Sequence, residues 1–363
     1  MSSEFIPTLF IIKISSECNL KCEYCYTRKN KGELSEETLA HIANLIVNWI
    51  KKNNLKRIKI GFLGGEPLLF TEKIEFFISQ LYSLMNGKND AISLSIQSNG
   101  TLLTKEKIRW IKKRKIIIGV SLDGPEEIND TARKFPDGSG SYKIIRNHIQ
   151  DLIKANIEPR IITVIHKYNW NKVAEIINHF VNLGVRIFRF NPILPANKYA
   201  EEFSITPNQF FEAMKETYNT LETLKRQGIE VIEKTTRDFI FLLKGYITNM
   251  CLKDPCGAGL NMLVFNNDGW IYPCDMLIHE EFKMRPINET KDISELKRNS
   301  VLKKLIDRRR KIPKKCINCI FRSYCNGGCP ARILSEKLNR YSISKWHCEF
   351  LQKYLVYLLL KLT

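Results

Sequence analysis

Three cysteines near the N-terminus have a spacing that suits a metal centre. Cys18, Cys22 and Cys25 form a C-x3-C-x2-C pattern directly after the apolar run Leu9–Ile14. A structural zinc site normally takes four protein ligands, and no other cysteine or histidine lies close to this loop; His41 follows only in a helical pattern. Three thiolates can instead hold three irons of a 4Fe-4S cluster and leave the fourth iron open. The loop therefore predicts a cluster that offers one position to a small molecule.

Eight further cysteines are concentrated in the last third of the chain. Their most regular part is a C-x2-C-x5-C-x3-C run that begins at Cys316. Such spacing suits two four-cysteine zinc sites or two iron–sulfur clusters. An odd total of eleven cysteines in 363 residues does not indicate a disulfide framework. The eight are Cys251, Cys256, Cys274, Cys316, Cys319, Cys325, Cys329 and Cys348.

The composition is that of a folded protein with a strong positive charge. The 363 residues are 44% hydrophobic and 26% charged, which excludes a disordered or fibrous chain and allows one large and one smaller domain. The N-terminus has no signal-peptide pattern, and the C-terminal apolar run Tyr354–Leu360 is too short to span a bilayer. We therefore expect a cytoplasmic protein, in which cysteines persist as thiols or metal thiolates.

Alternating β and α patterns precede the cysteine-rich region and must position the N-terminal cysteines. Six such units predict a parallel sheet with helices outside it, and six are too few for an eight-fold barrel. The predicted fold class is α/β, with an open, partial (β/α)6 barrel. The predicted strands are Leu9–Ile14, Arg57–Phe62, Ile92–Gln97, Ile116–Leu122, Arg160–Ile165 and Arg186–Phe190. The predicted helices are Ser35–Lys52, Thr71–Met85, Lys105–Lys113, Tyr142–Lys154, Trp170–Asn182 and Pro207–Arg226.

The βα pattern stops near Thr236, which predicts a change of domain. We expect a barrel domain over residues 1–236 and a cysteine-rich domain over residues 237–363. The apolar periodicity of Cys348–Leu362 predicts a helix that packs back on the body of the protein.

The chain resembles the radical S-adenosylmethionine (radical SAM) superfamily in the order of its motifs. The C-x3-C-x2-C loop follows the first predicted strand, and short polar segments end the second, fourth and sixth strands, where α/β barrels carry their chemistry. The resemblance implies that SAM binds the open iron and is cleaved by one electron to a 5′-deoxyadenosyl radical. It implies a SAM site made of Gly64, Gly65, Glu66, Pro67, Ser121, Asp123, Arg133 and Asn191.

Within that site the resemblance gives each segment a partner on SAM. The Gly-Gly-Glu-Pro segment that starts at Gly64 holds the amino group, since a glycine pair permits close approach and Glu66 is an acceptor for an ammonium. The segment around Asp123 faces the ribose, and Arg133 pairs with the carboxylate. Tyr24, inside the cysteine loop, shields the cluster from water.

Seven of the C-terminal cysteines, from Cys256 to Cys348, resemble the seven-cysteine SPASM pattern of the same superfamily, and Cys251 stands just upstream as an eighth. The resemblance implies two auxiliary 4Fe-4S clusters with interleaved ligands, and so three 4Fe-4S clusters in all. The first auxiliary cluster takes Cys251, Cys256, Cys274 and Cys329. The second takes Cys316, Cys319, Cys325 and Cys348. A zinc-binding protein with a decayed barrel is the alternative, and iron content distinguishes the two.

Two branches of peptide-modifying enzymes fit the remaining residues. Asp275 stands where anaerobic sulfatase maturases, which oxidise a Cys or Ser to formylglycine, carry a proposed general base. Those enzymes usually have Gln where this chain has Leu63, and Tyr where it has Thr27. We therefore favour the other branch, an anaerobic maturase that cross-links or otherwise alters a ribosomal precursor peptide, and keep the sulfatase maturase as the alternative.

The net charge of +19 bears on the partners. It is concentrated in Lys51–Lys59, Lys105–Lys115 and Asp307–Lys315, which mostly read as solvated helix faces. An acidic precursor peptide is the sharper interpretation, because the field raises encounter rates. We expect no nucleic acid partner, since no RNA-recognition pattern is present. The resemblance also implies an electron donor such as flavodoxin or ferredoxin, and we expect no membrane partner.

Overall fold

One mixed sheet carries most of the polar residues that the sequence singles out. The computed structural model describes residues 4–27, 32–86, 89–253, 255–310, 313–325, 327–338 and 342–362. Its ten strands lie in the order β10-β9-β8-β1-β2-β3-β4-β5-β6-β7. Strands β1 to β7 run parallel, and β8 pairs parallel with the other side of β1. The sheet is open, as predicted for a partial barrel.

The bounds of the elements agree closely with the sequence patterns over the first half. The strands are β1 Leu9–Lys13, β2 Ile58–Leu63, β3 Ile92–Ser98, β4 Ile117–Ser121, β5 Arg160–Ile165, β6 Ile187–Pro192, β7 Ile232–Glu233, β8 Met262–Phe265, β9 Trp270–Tyr272 and β10 Arg285–Pro286. The helices are α1 Glu36–Lys52, α2 Thr71–Leu84, α3 Lys105–Lys113, α4 Glu126–Ala132, α5 Tyr142–Lys154, α6 Val173–Asn182, α7 Lys198–Glu202, α8 Pro207–Arg226, α9 Lys234–Leu243, α10 Ser300–Arg310, α11 Arg322–Cys325, α12 Pro330–Ser335 and α13 Lys345–Leu362.

The strands separate a helix-covered face from an inner face. In β1, Phe10 and Ile12 belong to the main core beneath the helices, whereas Ile11 packs in a small core with Val264 of β8. Since side chains alternate along a strand, Lys13 lies on the same inner face as Ile11. The inner face at the carboxyl ends of the strands is therefore where the polar residues meet.

Local signals in the sequence explain where helices begin. Ser35 caps α1, because its side chain accepts a hydrogen bond from the backbone N–H of Thr38. Thr206 and Gln209 form a complete capping box at the start of α8. Helix α13 packs on α8 through Phe350 and Phe210, whose ring centroids are 4.6 Å apart. The predicted C-terminal helix is confirmed as a packing element, although it begins at Lys345 rather than Cys348.

The structure is continuous across the predicted domain boundary. Residues 236 and 237 fall inside α9, and β8, from the cysteine-rich part, pairs with β1 from the barrel. The parallel sheet thus spans the boundary, and the division into two domains stays a prediction.

Of the basic segments, Asp307–Lys315 includes Lys311 and Ile312, which lie outside the described residues. No helix in the described part of the chain has the length and apolar character needed to cross a membrane.

Candidate active site

The loop of Cys18, Cys22 and Cys25 directly follows β1. It is held by the end of α4, because the N–H groups of Lys21 and Glu23 donate to backbone carbonyls there at 2.8 and 2.9 Å. Burial raises the pKa of the Cys22 thiol to about 12, and the charges of Cys25 and Cys18 raise it further against the opposing effect of Arg133. The three thiols therefore lie close enough to repel one another as thiolates.

The glycine pair fastens this loop to the sheet. The N–H of Gly65 donates to the carbonyl of Ser15 at 3.1 Å, and that of Glu66 donates to the carbonyl of Glu17 at 2.7 Å. A Cβ on Gly65 would overlap the Glu17 carbonyl oxygen, and one on Gly64 would overlap that of Ser15. The pair thus permits a backbone-to-backbone contact immediately before the first cysteine. Pro67 begins a buried 3-10 turn behind it.

Glu66 holds neighbouring segments of the protein together through hydrogen bonds. Its buried carboxylate accepts hydrogen bonds from the N–H of Leu68 at 2.9 Å, the hydroxyl of Ser98 at 2.8 Å and the N–H of Asn99 at 2.6 Å. Burial raises its pKa, and the hydrogen bond from Asn99 opposes this. Three donors leave space for one more at the carboxylate. Its contact with SAM stays a prediction.

Asn99 contacts the cysteine loop, and no role was predicted for it from the sequence. Its amide nitrogen lies 3.6 Å from the Sγ of Cys18 and donates to the side chain of Asn19 at 2.9 Å. Asn19 in turn donates to the hydroxyl of Thr101 at 2.8 Å. The signal was present in the polar segment that follows β3, but sequence spacing cannot show that this segment holds the cysteine loop.

Asp123 and Arg133 bind each other. The Arg133 Nε lies 3.0 Å from the Asp123 carboxylate, and both side chains are buried. The carboxylate also accepts hydrogen bonds from the Tyr24 hydroxyl and, at 3.0 Å, from the N–H of Val164. The resemblance implied that Asp123 faces a ribose and that Arg133 faces a carboxylate of SAM. The structure instead gives both an internal partner, and their contacts with SAM stay predictions.

Ser121 and Asn191 end β4 and β6 on the inner face. The hydroxyl of Ser121 accepts a hydrogen bond from the Gln97 side chain at 3.1 Å, and Asn191 lies opposite Val164 of β5. Both residues are at the carboxyl end of the sheet, where the cysteine loop also lies. Their contacts with SAM stay predictions.

The buried His166, beside Tyr24, gives the first testable prediction. Its Nδ1 accepts from the N–H of Tyr168 at 3.2 Å, its Nε2 has no hydrogen-bond partner, and burial lowers its pKa to about 4. Because the unfolded chain binds this proton near pH 6.5, stability falls as pH drops from about 6.5 to 4, by roughly 2 kcal/mol between pH 7 and 5. His166→Phe should remove that loss from urea titrations of metal-free protein. An equal loss in His166→Phe and in the more exposed control His279→Gln would contradict it.

A second set of cysteines surrounds the segment after β9. Burial raises the pKa of Cys251, and Cys256 and Cys329 raise it further. Burial also raises the pKa of Cys274, followed by the charge of Asp275 and then those of Cys251 and Cys329. The Cys274 thiol lies 3.4 Å from the Asp275 carboxylate. These four cysteines are the ones that the resemblance assigned to the first auxiliary cluster; their binding of iron stays a prediction.

The third set of cysteines also meets in space. Burial raises the pKa of the Cys325 thiol to about 11, and the charges of Cys348, Cys316 and Cys319 raise it further against the opposing N–H of Gly327. This is the set assigned to the second auxiliary cluster. None of the eleven cysteines, all of which lie in the described ranges, forms a disulfide. Cysteines of one set thus affect each other's pKa, and the division into sets of three, four and four cluster ligands stays a prediction.

Arg308 links the second and third sets. Its guanidinium donates to the carbonyl of Gly328 at 3.0 Å and to that of Gly327. These glycines separate Cys325, of the third set, from Cys329, of the second. Arg308 therefore holds the turn that sets the spacing between the two sets.

Tyr26, Asp275 and Lys13 lie between the N-terminal loop and the second set. Tyr26 is 40% exposed as a residue, but desolvation of its hydroxyl raises its pKa, and the charges of Asp275, Cys25 and Cys274 raise it further. Burial lowers the pKa of Lys13, against the opposing charges of Asp275 and Cys25. The arrangement places a carboxylate, a phenol and an ammonium between two groups of thiols.

The donor chemistry of the cysteine sets fits metal clusters. Burial and mutual repulsion disfavour free thiolates at all three sets, and bound iron would supply the missing positive charge. Within the described ranges, no three His, Cys, Asp or Glu side chains surround a single metal-ion position. The orphaned Nε2 of His166, beside Tyr24, is a donor that a nucleoside cofactor could satisfy.

Comparisons with known proteins identify similar chains. The model of the radical SAM superfamily matches residues 12–180. A cysteine-type anaerobic sulfatase-maturating enzyme of Clostridium novyi is 29% identical over 332 residues, which cover 89% of this chain and 87% of that protein. An uncharacterised protein of Methanocaldococcus jannaschii is 30% identical over 271 residues, which cover 74% of this chain and 84% of that protein.

Solved structures agree in fold. Native anSMEcpe with bound AdoMet superimposes with a TM-score of 0.87 at 23% identity, covering 98% of both chains. SuiB of Streptococcus suis bound to its precursor peptide SuiA superimposes with a TM-score of 0.70 at 17% identity, covering 94% of this chain and 76% of that one. The partial barrel with a cysteine-rich C-terminal region is thus a known architecture.

Proposed function

Since the chain belongs to the radical SAM superfamily, we propose that it is a maturase that oxidises a cysteine or serine of a peptide or protein to formylglycine. The observation that carries this is the position of Asp275, whose carboxylate lies beside Cys274 and near both Tyr26 and Cys25. A proton acceptor between the first two cysteine sets suits an oxidation that releases protons at the substrate.

This proposal reverses the preference for precursor-peptide cross-linking that was based on sequence alone. The similarity to sulfatase-maturating enzymes extends over 89% of the chain, so it includes the cysteine-rich part as well as the barrel. The absence of Tyr at position 27 also weighs less, because the phenol of Tyr26 lies near Asp275 and Cys274. We therefore place the formylglycine reaction ahead of precursor-peptide cross-linking.

The protein groups have separate tasks in the proposed reaction. Cys18, Cys22 and Cys25 would hold the N-terminal cluster, at which bound SAM would supply the radical chemistry for removing hydrogen from the substrate carbon. Asp275 accepts the thiol or hydroxyl proton of the substrate residue. The buried ammonium of Lys13 provides a positive charge near that carboxylate. For a cysteine substrate, the radical would take one hydrogen atom, Asp275 would take the thiol proton and an auxiliary cluster would accept the remaining electron, which gives a thioaldehyde; water then converts it to the aldehyde with release of hydrogen sulfide.

Cross-linking of a ribosomal precursor peptide is the second candidate. Leu63 supports it, because this side chain packs with the apolar inner-face core around Ile11 and offers no polar group to a substrate. The fold is also that of SuiB, which is bound to its precursor peptide in a solved structure.

The test uses anaerobically reconstituted protein with SAM, a reductant and peptides that contain one Cys or one Ser. We expect roughly four irons at each of three clusters, formation of 5′-deoxyadenosine, and loss of sulfur with gain of oxygen on the Cys peptide. Loss of two hydrogens without loss of sulfur would favour the second candidate. Protein that binds zinc alone and forms no 5′-deoxyadenosine would contradict both.

Asp275→Asn separates proton acceptance from the radical step. Because the amide cannot take the proton, we expect the yield of modified peptide to fall by about a hundredfold while 5′-deoxyadenosine still forms. Iron content and SAM binding should not change. The exposed Asp90→Asn is the matched control, and a product yield in Asp275→Asn equal to that of the control would exclude Asp275 as the general base.

A further inference from the structure

Two arginines lie on the inner face of neighbouring strands. Arg160 begins β5 and Arg189 lies in β6, and each alternates with residues of the helix-covered core such as Ile161 and Phe188. The register places Arg160 opposite Ile187 and Arg189 opposite Ile162, so the two arginines are offset by two residue positions on adjacent strands. Neither has a role in the proposed chemistry.

The first turn of α9 adds two more cations. Glu233 accepts a hydrogen bond from the N–H of Phe190 at 2.9 Å, and the Thr235 hydroxyl donates to the Phe190 carbonyl at 2.8 Å. These contacts fix the start of α9 along the part of β6 that lies beyond its pairing with β7. Burial lowers the pKa of Lys234 to about 8, and the charges of Arg189, Arg160 and Arg237 lower it further. The four cations therefore share one region.

The nearby carboxylates are already satisfied. Asp238 accepts from Arg189 at 2.5 Å, from the Thr248 hydroxyl at 2.9 Å and from the Asn249 amide at 3.2 Å. Glu233 is occupied in capping α9, where it accepts two backbone N–H groups. Four cations thus face two carboxylates whose oxygens are in use.

One hydrogen-bond donor among these four cations is buried and has no acceptor. The Nε of Arg237 is enclosed and has no hydrogen-bond partner, although the guanidinium lies 3.6 Å from Asp238. A buried unpaired donor costs free energy unless a ligand satisfies it. Together with the surplus of positive charge, it indicates a site for an anion.

We propose that Arg160, Arg189, Lys234 and Arg237 form a binding site for a carboxylate of the peptide substrate. The charge of Arg189 lowers the pKa of Cys251, so this cation cluster lies near the second cysteine set. The proposal rests on the proposed function in that it takes a peptide as the ligand. The carboxylate is either an acidic side chain near the modified residue or the peptide's C-terminus. A site on the inner face suits a peptide better than a nucleic acid, which basic surface grooves usually bind.

The experiment measures binding without turnover. Reconstituted protein with SAM but no reductant is titrated with fluorescein-labelled Cys-containing peptides. One carries three Glu residues and an amidated C-terminus, one has Gln in their place, and one combines the Gln residues with a free C-terminal carboxylate. We expect the Glu peptide or the free-acid peptide to bind about tenfold tighter than the amidated Gln peptide, less so at high salt.

Substitutions then assign that preference to the cluster. Lys234→Gln and Arg237→Gln should each reduce the charge preference several-fold, whereas Lys225→Gln, an exposed lysine at the end of α8, should retain it. Lys234→Gln is expected to fold, because it removes a positive charge from a group of like charges; thermal unfolding confirms this.

The outcomes separate this proposal from the proposed function. Equal binding of the three peptides, or a preference that both variants retain, would overturn the carboxylate site even if peptide oxidation is observed. Tighter binding of an oligouridylate, lost in the same variants, would also overturn it and assign the cluster to phosphates. A charge preference lost in both variants would support it even if no formylglycine forms.

Discussion

Gly65→Ala should cost the reconstituted protein about a third of its iron, together with its SAM cleavage. The added methyl group would overlap the carbonyl oxygens of Ser16 and Glu17, which are backbone atoms and cannot turn aside. The contact that would have to open includes the hydrogen bond from the Glu66 N–H to the Glu17 carbonyl, one residue before Cys18. We therefore expect the cysteine loop to lose its position and the N-terminal cluster to be lost while the other two sets keep theirs.

Gly228→Ala separates steric overlap from backbone strain. Gly228 has a φ of +76° and open space around its Cα, so alanine there meets only the conformational penalty of about 1 kcal/mol. Iron content, the electron paramagnetic resonance of the reduced clusters and 5′-deoxyadenosine are measured in both variants. Full iron content in Gly65→Ala would show that the loop does not depend on this contact.

The parallel core of the fold could be predicted because its signals are local. Apolar β-branched runs and amphipathic helical patterns alternate from β1 to α8, and caps such as Ser35 act within three residues. Strand β8 carried no such signal. It has four residues, and it belongs to the sheet only because β1, some 250 positions earlier, has a free edge. Such pairing depends on tertiary contacts that a local pattern does not contain.

In the candidate site, too, some features could be predicted from the sequence and others depended on tertiary contacts. The grouping of eleven cysteines followed from a family pattern and stays a prediction, which the mutual effects of these cysteines on their pKa values support. The roles of Glu66 and Asn99 did not follow, because the contact between them joins positions 33 residues apart. A carboxylate in a motif can bind a ligand or brace a loop, and only the positions of its donors distinguish the two.

The cation cluster was visible from the sequence only as part of a net charge. Arg160, Arg189 and Lys234 lie in three separate elements, and the basic segments that the composition singled out are elsewhere in the chain. Inner-face alternation in β5 and β6 brings the two arginines together, and the start of α9 adds the lysine. A charge count cannot show which cations converge.

Asp123→Ala should be the most destabilising of the substitutions that leave every cysteine in place. The side chain is fully buried and accepts hydrogen bonds from Tyr24, from Arg133 and from the N–H of Val164. Its removal leaves the Arg133 guanidinium, whose side chain is 8% exposed, as an uncompensated buried charge. Breaking one partner of a buried ion pair costs about 3–5 kcal/mol, which should appear as a lower urea midpoint of the metal-free protein.

A double-mutant cycle shows whether Asp123 and Arg133 stabilise each other, as they do in the structure, or whether they bind a ligand. If Asp123 and Arg133 act on each other, Arg133→Met should recover about 1–3 kcal/mol of the loss in Asp123→Ala, because the unpaired charge is removed. The cycle is repeated by equilibrium binding of SAM to the reconstituted protein. Additive effects on stability, combined with loss of SAM binding in Arg133→Met alone, would contradict the internal role and return Arg133 to the SAM carboxylate. Coupled stability effects with equal losses of SAM affinity in both single variants would instead show that the pair positions the cysteine loop through Tyr24.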